Sequence, residues 1–197
     1  GSSPGMVEMT RRAVFMDRDG VINRAIMRNG SPYPPSGLAE LEVLPQVREA
    51  LLMLKSAGFD LIVVTNQPDV ARGATARQTV DAIHSRLRAE LPLDEVLTCF
   101  HDDGENCDCR KPKPGLLRAM ERARGIDLSQ SFMVGDRWRD IDAGAAAGCQ
   151  TILVDYGYSE RSPSARADHV CKSLFEAARW IMAGNGSQTT VRKEGSN

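Results

Sequence analysis

Short apolar runs, each closed by a polar side chain, constrain this chain more than any other feature. They are Ala13-Val14-Phe15-Met16 before Asp17, Leu61-Ile62-Val63-Val64 before Thr65, Phe132-Met133-Val134-Gly135 before Asp136, and Thr151-Ile152-Leu153-Val154 before Asp155. Continuous rather than alternating apolarity predicts strands buried on both faces, as in a parallel sheet covered by helices. Val96 to Cys99 reads as a fifth strand. Between the runs lie segments of helical period: Pro45 to Ala57, Thr75 to Leu91, Pro114 to Arg124 and roughly Ile141 to Ala147. Ser173 to Met182 follows as a last amphipathic helix. Pro45 and Pro114 suit first-turn positions, and Gly58 and Gly125 suit C-terminal stops. The β-α alternation predicts an α/β fold, a doubly wound Rossmann-like parallel sheet with ligands beyond the carboxyl ends of its strands. Asp17, Thr65 and Asp136 then share one edge, and the stretches 26–39 and 99–114 read as loops above it.

A length of 197 residues suits one domain, placed at 9–183. Residues 1–8 read as a tail, with Gly1 to Gly5 before a Met resembling an expression scar, and residues 184–197, rich in Gly, Ser and Thr, read as disordered. Lys plus Arg (25) nearly cancel Asp plus Glu (26), so no overall field gathers nucleic acid or an anionic membrane. Any anion must be met locally. No run approaches the roughly 18 apolar residues of a membrane span. Three of the five cysteines fall within eleven residues beside a histidine, which suits a metal in a reducing compartment better than disulfides. The expectation is a cytoplasmic monomer acting on a small molecule.

Chemistry concentrates at the strand ends. A lone Asp17-x-Asp19-Gly20 is most simply a solvated acidic loop, and Thr65-Asn66-Gln67 offers a hydroxyl and amide groups to a phosphate oxygen or, equally, a strand-end cap; their company changes the reading. Gly135-Asp136-Arg137 is followed by Asp140 and Asp142, and carboxylates gathered so densely call for a hard cation such as Mg²⁺. Asp140 alone could be a first-turn acid. Lys111, in Arg110-Lys111-Pro112-Lys113-Pro114, can neutralise a phosphoryl oxygen and keep a nucleophilic carboxylate ionised. Cys99-x-His101 followed by Cys107-x-Cys109 matches a closed Cys₃His structural zinc, with no position left for catalysis. Cys149 and Cys171 read as core residues, and His84 and His169 as surface or core.

Asp17-x-Asp19-Gly20-Val21, Thr65-Asn66, Lys111-Pro112-x-Pro114 and Gly135-Asp136-x-x-x-Asp140 resemble, in order, the four motifs of the haloacid dehalogenase-like (HAD) phosphatase superfamily. More narrowly, residues 17–23, 63–67 with 71–73, and 107–112 resemble the heptose-1,7-bisphosphate 7-phosphatases; histidinol-phosphate phosphatases are similar and share the zinc loop. The resemblance implies that Asp17 is the nucleophile and Asp19 the general acid and base. It implies Mg²⁺ on Asp17, the Asp19 carbonyl and Asp136, supported by Asp140. Thr65 and Lys111 would grip the phosphoryl group of a sugar phosphate, with Arg110 and Asn66 near phosphate or sugar. Short loops and crossover helices fill the gaps after Asp19 and after Thr65, which leaves no room for a large cap domain. Pro68-Asp69 departs from the family's usual Ser-Gly, and Ser31 to Ser36 from its usual substrate segment. A phospho-receiver domain combines a similar sheet with Asp, Thr and Lys, but needs neither Asp19 nor a zinc loop. A zinc-stabilised interaction module with a decayed site is the other non-enzyme reading.

Overall fold

The structure, a computed structural model, describes residues 10–185. Strands β1 (Arg12–Met16), β4 (Phe59–Asn66), β5 (Glu95–Cys99), β6 (Phe132–Gly135), β7 (Gln150–Val154) and β8 (His169–Cys171) form one parallel sheet in the order β5-β4-β1-β6-β7-β8. Successive strand residues point to opposite faces, and here both faces are covered. Val14, Met16, Leu61 and Val63 pack with α1 (Val47–Ser56), α2 (Arg77–Glu90) and α5 (Leu174–Asn185). Phe15, Ile62, Val64 and Met133 pack on the other face with Leu117 and Met120 of α3 (Gly115–Arg124). That double burial is why the runs are continuously apolar. Helix α4 (Trp138–Ala147) links β6 to β7.

Met16 is in register with Val63 of β4 and Val134 of β6, so the chain leaves all three strands at one edge. Gly58 and Gly125 both take positive φ beyond their helices, as expected.

The sequence reading missed three details. The expected loop at 26–39 contains a hairpin, β2 (Ile26–Arg28) and β3 (Ser31–Tyr33), joined by Asn29-Gly30 with both φ angles positive, 50° and 78°. Paired only with each other, these strands carry no apolar run. β8 is a three-residue edge strand, and α4 begins at Trp138 because the Asp140 carboxylate accepts from the Arg137 N–H at 3.0 Å, closing its first turn. The expected tails lie outside the described residues, except that α5 continues through Gly184 to Asn185. Among the described residues no helix is long and apolar enough to cross a membrane.

Candidate active site

The ends of β1 and β6 and the first turn of α4 bring Asp17, Asp136 and Asp140 together, with one carboxylate oxygen of each within 4.8 Å of the others. The main-chain N–H of Asp17 donates to Val134 O at 2.9 Å, tying the two strand ends together. Lys111 enters this cluster from the segment before α3. Its Nζ donates to Asp17 Oδ1 at 2.9 Å, Asp140 Oδ1 at 2.6 Å and Val64 O at 2.8 Å, using all three ammonium hydrogens. Asp142 is not part of the cluster; its carboxylate accepts from the N–H groups of Ser164 and Ala165.

One lysine does not balance three buried carboxylates. Burial, then Asp140, pushes Asp17 up to about 6 against the pull of Lys111. Burial, then Asp17, pushes Asp136 well above the ordinary carboxylate range. Lys111 is opposed by burial yet held above its ordinary value by Asp140 and Asp17. Asp136 Oδ1 is buried without a hydrogen-bond partner, while Oδ2 accepts from the Tyr158 hydroxyl at 3.0 Å. An orphaned carboxylate oxygen beside two further acids fits a hard, oxygen-ligated cation such as Mg²⁺. Close approach is built in at Gly20, φ +87°, where a Cβ would lie 2.2 Å from Asp136 Oδ2.

Asp19 is turned away from this cluster. Its Oδ1 accepts from Arg18 Nε at 3.1 Å, Arg18 Nη2 at 2.8 Å and Asn23 Nδ2 at 3.0 Å. Its Oδ2 accepts from Gln67 Nε2 at 3.1 Å, and the same amide nitrogen donates to Thr65 Oγ1 at 2.9 Å. Asn66 clasps the main chain of Lys111, donating to its O and accepting from its N, both at 3.1 Å. The amide expected near phosphate or sugar thus fixes the lysine, while Asn66 also lines the cleft over the cluster.

A cleft of about 250 Å³ opens over Asp17, Asp19, Lys111 and Asp136. Pro32 and Tyr33 of the hairpin and Pro34 after it line one side. Arg110 also lines it, its Nε on Asp103 Oδ1 at 2.7 Å. Arg72 reaches Asp102 at 2.7 Å and Asp69 at 3.6 Å, so the charge added by the unusual Pro68-Asp69 pair is met by a cation.

Below the rim, Cys99 at the end of β5 meets His101, Cys107 and Cys109, the four ligand atoms lying within 4.8 Å of one another. Cys99 Sγ is 3.7 Å from Cys107 Sγ and 3.5 Å from His101 Nδ1, and His101 Nδ1 is 3.3 Å from Cys109 Sγ. Sulfurs about 2.3 Å from a tetrahedral zinc stand roughly 3.8 Å apart, and a nitrogen and a sulfur roughly 3.6 Å apart, so the cluster has the dimensions of a zinc site. Burial resists ionisation of Cys107, but the N–H groups of Arg110 and Cys109 bring its thiol down to about 7. Cys149 and Cys171 are buried elsewhere, as expected, the former pushed up to about 12 by burial.

Arg18, Asn23 and Tyr158 are the site residues that sequence reasoning did not single out. Gln67, read with Thr65 and Asn66 as a source of amide groups for a phosphate oxygen, spends its amide on Asp19 and Thr65. Nothing local marks Tyr158, 22 residues from Asp136.

A family profile described as HAD-hydrolase-like matches residues 108–177. The chain is 38% identical over 160 residues to the D-glycero-beta-D-manno-heptose-1,7-bisphosphate 7-phosphatase of Pseudomonas aeruginosa, covering 78% of this chain and 86% of that one. It is 31% identical to the Bordetella bronchiseptica protein of the same name, over 87% of this chain and 98% of the relative. The fold matches the crystal structure of a B. bronchiseptica D,D-heptose 1,7-bisphosphate phosphatase complexed with magnesium and phosphate. The TM-score is 0.72 at 29% identity, over 88% of this chain and 99% of that one. The ring of carboxylates around Lys111, the zinc-shaped loop beside it and these likenesses agree: the chain is a phosphatase of the HAD-like hydrolases and belongs to the heptose-1,7-bisphosphate 7-phosphatase family.

Proposed function

We infer that the chain removes the C7 phosphate of D-glycero-D-manno-heptose 1,7-bisphosphate, through an aspartyl-phosphate intermediate. The observation that carries this reading is Lys111 held between Asp17 and Asp140, in a carboxylate cluster that also holds the unpartnered oxygen of Asp136. The substrate comes from the relatives, and a rim bearing Arg72, Arg110 and Arg139 suits a second anionic group on the sugar.

In this reading Asp17, Asp136 and the Asp19 carbonyl would hold Mg²⁺, with Asp140 steadying Lys111. When bound, the ion would supply positive charge where phosphoryl oxygens gather, so that a carboxylate can approach a dianion. A carboxylate oxygen of Asp17 bonds to phosphorus as the bond from phosphorus to the C7 oxygen breaks. The departing alkoxide takes the proton of Asp19. Asp19, now ionised, takes a proton from water; the hydroxide formed attacks phosphorus, the bond to Asp17 breaks, and inorganic phosphate leaves. Lys111, exchanging its bond to Asp17 for one to substrate, and the Thr65 hydroxyl hold the phosphoryl oxygens, and Arg110 meets the rest of the substrate. Asp17 faces the acids and Lys111, while Arg18, Asn23 and Gln67 hold Asp19 two residues further on, at the edge of the same cleft.

All of these groups lie on one chain among the described residues, in keeping with one domain and a working monomer, and the thiol-rich zinc loop supports a reducing cytoplasm. Phosphate release is to be measured with Mg²⁺ and with EDTA from both anomers of heptose 1,7-bisphosphate, fructose 1,6-bisphosphate and histidinol phosphate. A kcat/KM at least about a hundredfold higher for one heptose anomer, about 2.7 kcal/mol in transition-state binding, is expected. Preference for histidinol phosphate would overturn the substrate and leave the reaction.

A further inference from the structure

His84 is a buried titratable residue that the chemistry above does not use. It lies on α2, 9% exposed, with Nε2 3.0 Å from Arg18 Nη1 and Nδ1 3.5 Å from Thr98 Oγ1 on β5. A guanidinium offers five N–H donors and no acceptor, so Nε2 must accept and the ring proton must sit on Nδ1, towards Thr98. Burial, and then the charge of Arg18, hold the imidazole down at about 4, while Asp19 and Asp81 pull the other way. The ring is a neutral acceptor throughout the working range. Arg18 is itself completely buried, and its other nitrogens, Nε and Nη2, both donate to Asp19 Oδ1.

We propose that His84 is a positioning residue for the acid–base carboxyl, acting through Arg18 to set where Asp19 stands when the proton passes. The proposal rests on the phosphatase reading above. Arg18 is a rigid plane with a fixed end at His84 and a working end at Asp19. Without the imidazole acceptor, Nη1 is a buried charged donor with no partner, a state that drives rearrangement. The nearest relief is rotation of the plane, which takes the two bonds to Asp19 Oδ1 with it. Asn23 and Gln67 hold Asp19 as well, so the carboxyl is displaced rather than released.

The leaving group distinguishes this role from mere support of the fold. A sugar alkoxide needs a proton from Asp19 to depart, whereas p-nitrophenolate leaves as a stable anion. The experiment compares kcat/KM for the heptose bisphosphate and for p-nitrophenyl phosphate in wild type, His84→Leu and His84→Gln, with melting curves for each. His84→Leu is expected to lose roughly a hundredfold on the sugar phosphate, the size expected from a small misplacement, and less than about threefold on the aryl phosphate. His84→Gln, whose Oε1 can accept from Arg18, is expected to regain activity to within about fivefold of wild type. Equal losses on both substrates, no loss on the sugar phosphate, or a glutamine variant no better than leucine would each overturn the proposal. If the leucine variant does not fold, His84→Asn, whose shorter amide falls short of Arg18, takes its place. Should wild type prefer another alkyl phosphate, the same comparison on that ester tests His84 while the heptose reading alone falls.

Discussion

Gly20→Ala tests whether the acidic cluster is as tightly built as it looks. Gly20 has φ +87°, and a side chain there would meet Asp136 Oδ2 at 2.2 Å and Cγ at 2.7 Å. The backbone has little room to retreat, because the Gly20 N–H donates to Asn23 O at 2.8 Å and its carbonyl accepts from the Tyr156 hydroxyl at 2.7 Å. Asp136 must move instead and give up the Tyr158 hydroxyl. The left-handed conformation costs about 1–2 kcal/mol and the lost bond to a charged group about 1.5–3, together roughly 2.5–5 kcal/mol. For a domain of this size that is a fall in Tm of about 5–20 °C. Gly30→Ala is the matched control, with φ +78° and nothing within 4 Å of the added atom. It carries the conformational cost alone, about 2–8 °C. Calorimetry and Mg²⁺ titration of both variants read the difference, with Mg²⁺ affinity of the Gly20 variant expected to drop about 10- to 100-fold. Equal Tm changes in the two variants, with an unchanged Mg²⁺ midpoint, would refute the close-packed cluster.

Asp17→Asn is expected to abolish turnover while circular dichroism stays native; substantial remaining Mg²⁺-dependent hydrolysis would rule out the covalent route. Lys111→Met leaves Asp17 and Asp140 buried without their cation, and about 3–5 kcal/mol of stability should go with it, read by denaturant midpoint at fixed pH. Cys109→Ser should lower Tm and retain less zinc by elemental analysis, with a smaller effect on circular dichroism than on loop protection from proteolysis. Asp17 binds its proton more tightly folded, about 6 against 3.8. In EDTA its contribution therefore favours the fold at low pH and fades as pH rises between those values. Mg²⁺ needs the ionised form, so the Tm increase it produces should be larger at pH 7.5 than at pH 5. Equal increases would contradict the shift.

The sheet was legible because burial on both faces leaves an unbroken apolar signature, as in Leu61 to Val64. The hairpin was overlooked although Asn29-Gly30 is a strong two-residue turn signal, since Met27 and Tyr33 face solvent and give no core pattern. Asp17, Asp136 and Lys111 could be named because each stands beside a run or a proline-marked helix start. Their partners could not: Arg18 meets His84 across 66 residues and Gln67 meets Asp19 across 48. Side chains brought together only by completed packing leave no trace in local order. The same holds for the clasp of Asn66 on the Lys111 main chain, 45 residues away, made from a position that also lines the cleft.

The cleft has a floor and a wall of different origin. Its reacting carboxylates stand at strand ends that the core holds in register, whereas Pro32, Tyr33 and Arg72 come from a small hairpin and a surface loop. Exchange of the hairpin, Ile26 to Tyr33, alters what can lie against the sugar without touching the atoms that break the phosphate bond. Selectivity in this scaffold can thus drift or be redesigned piecemeal, one short surface segment at a time, while turnover is inherited intact.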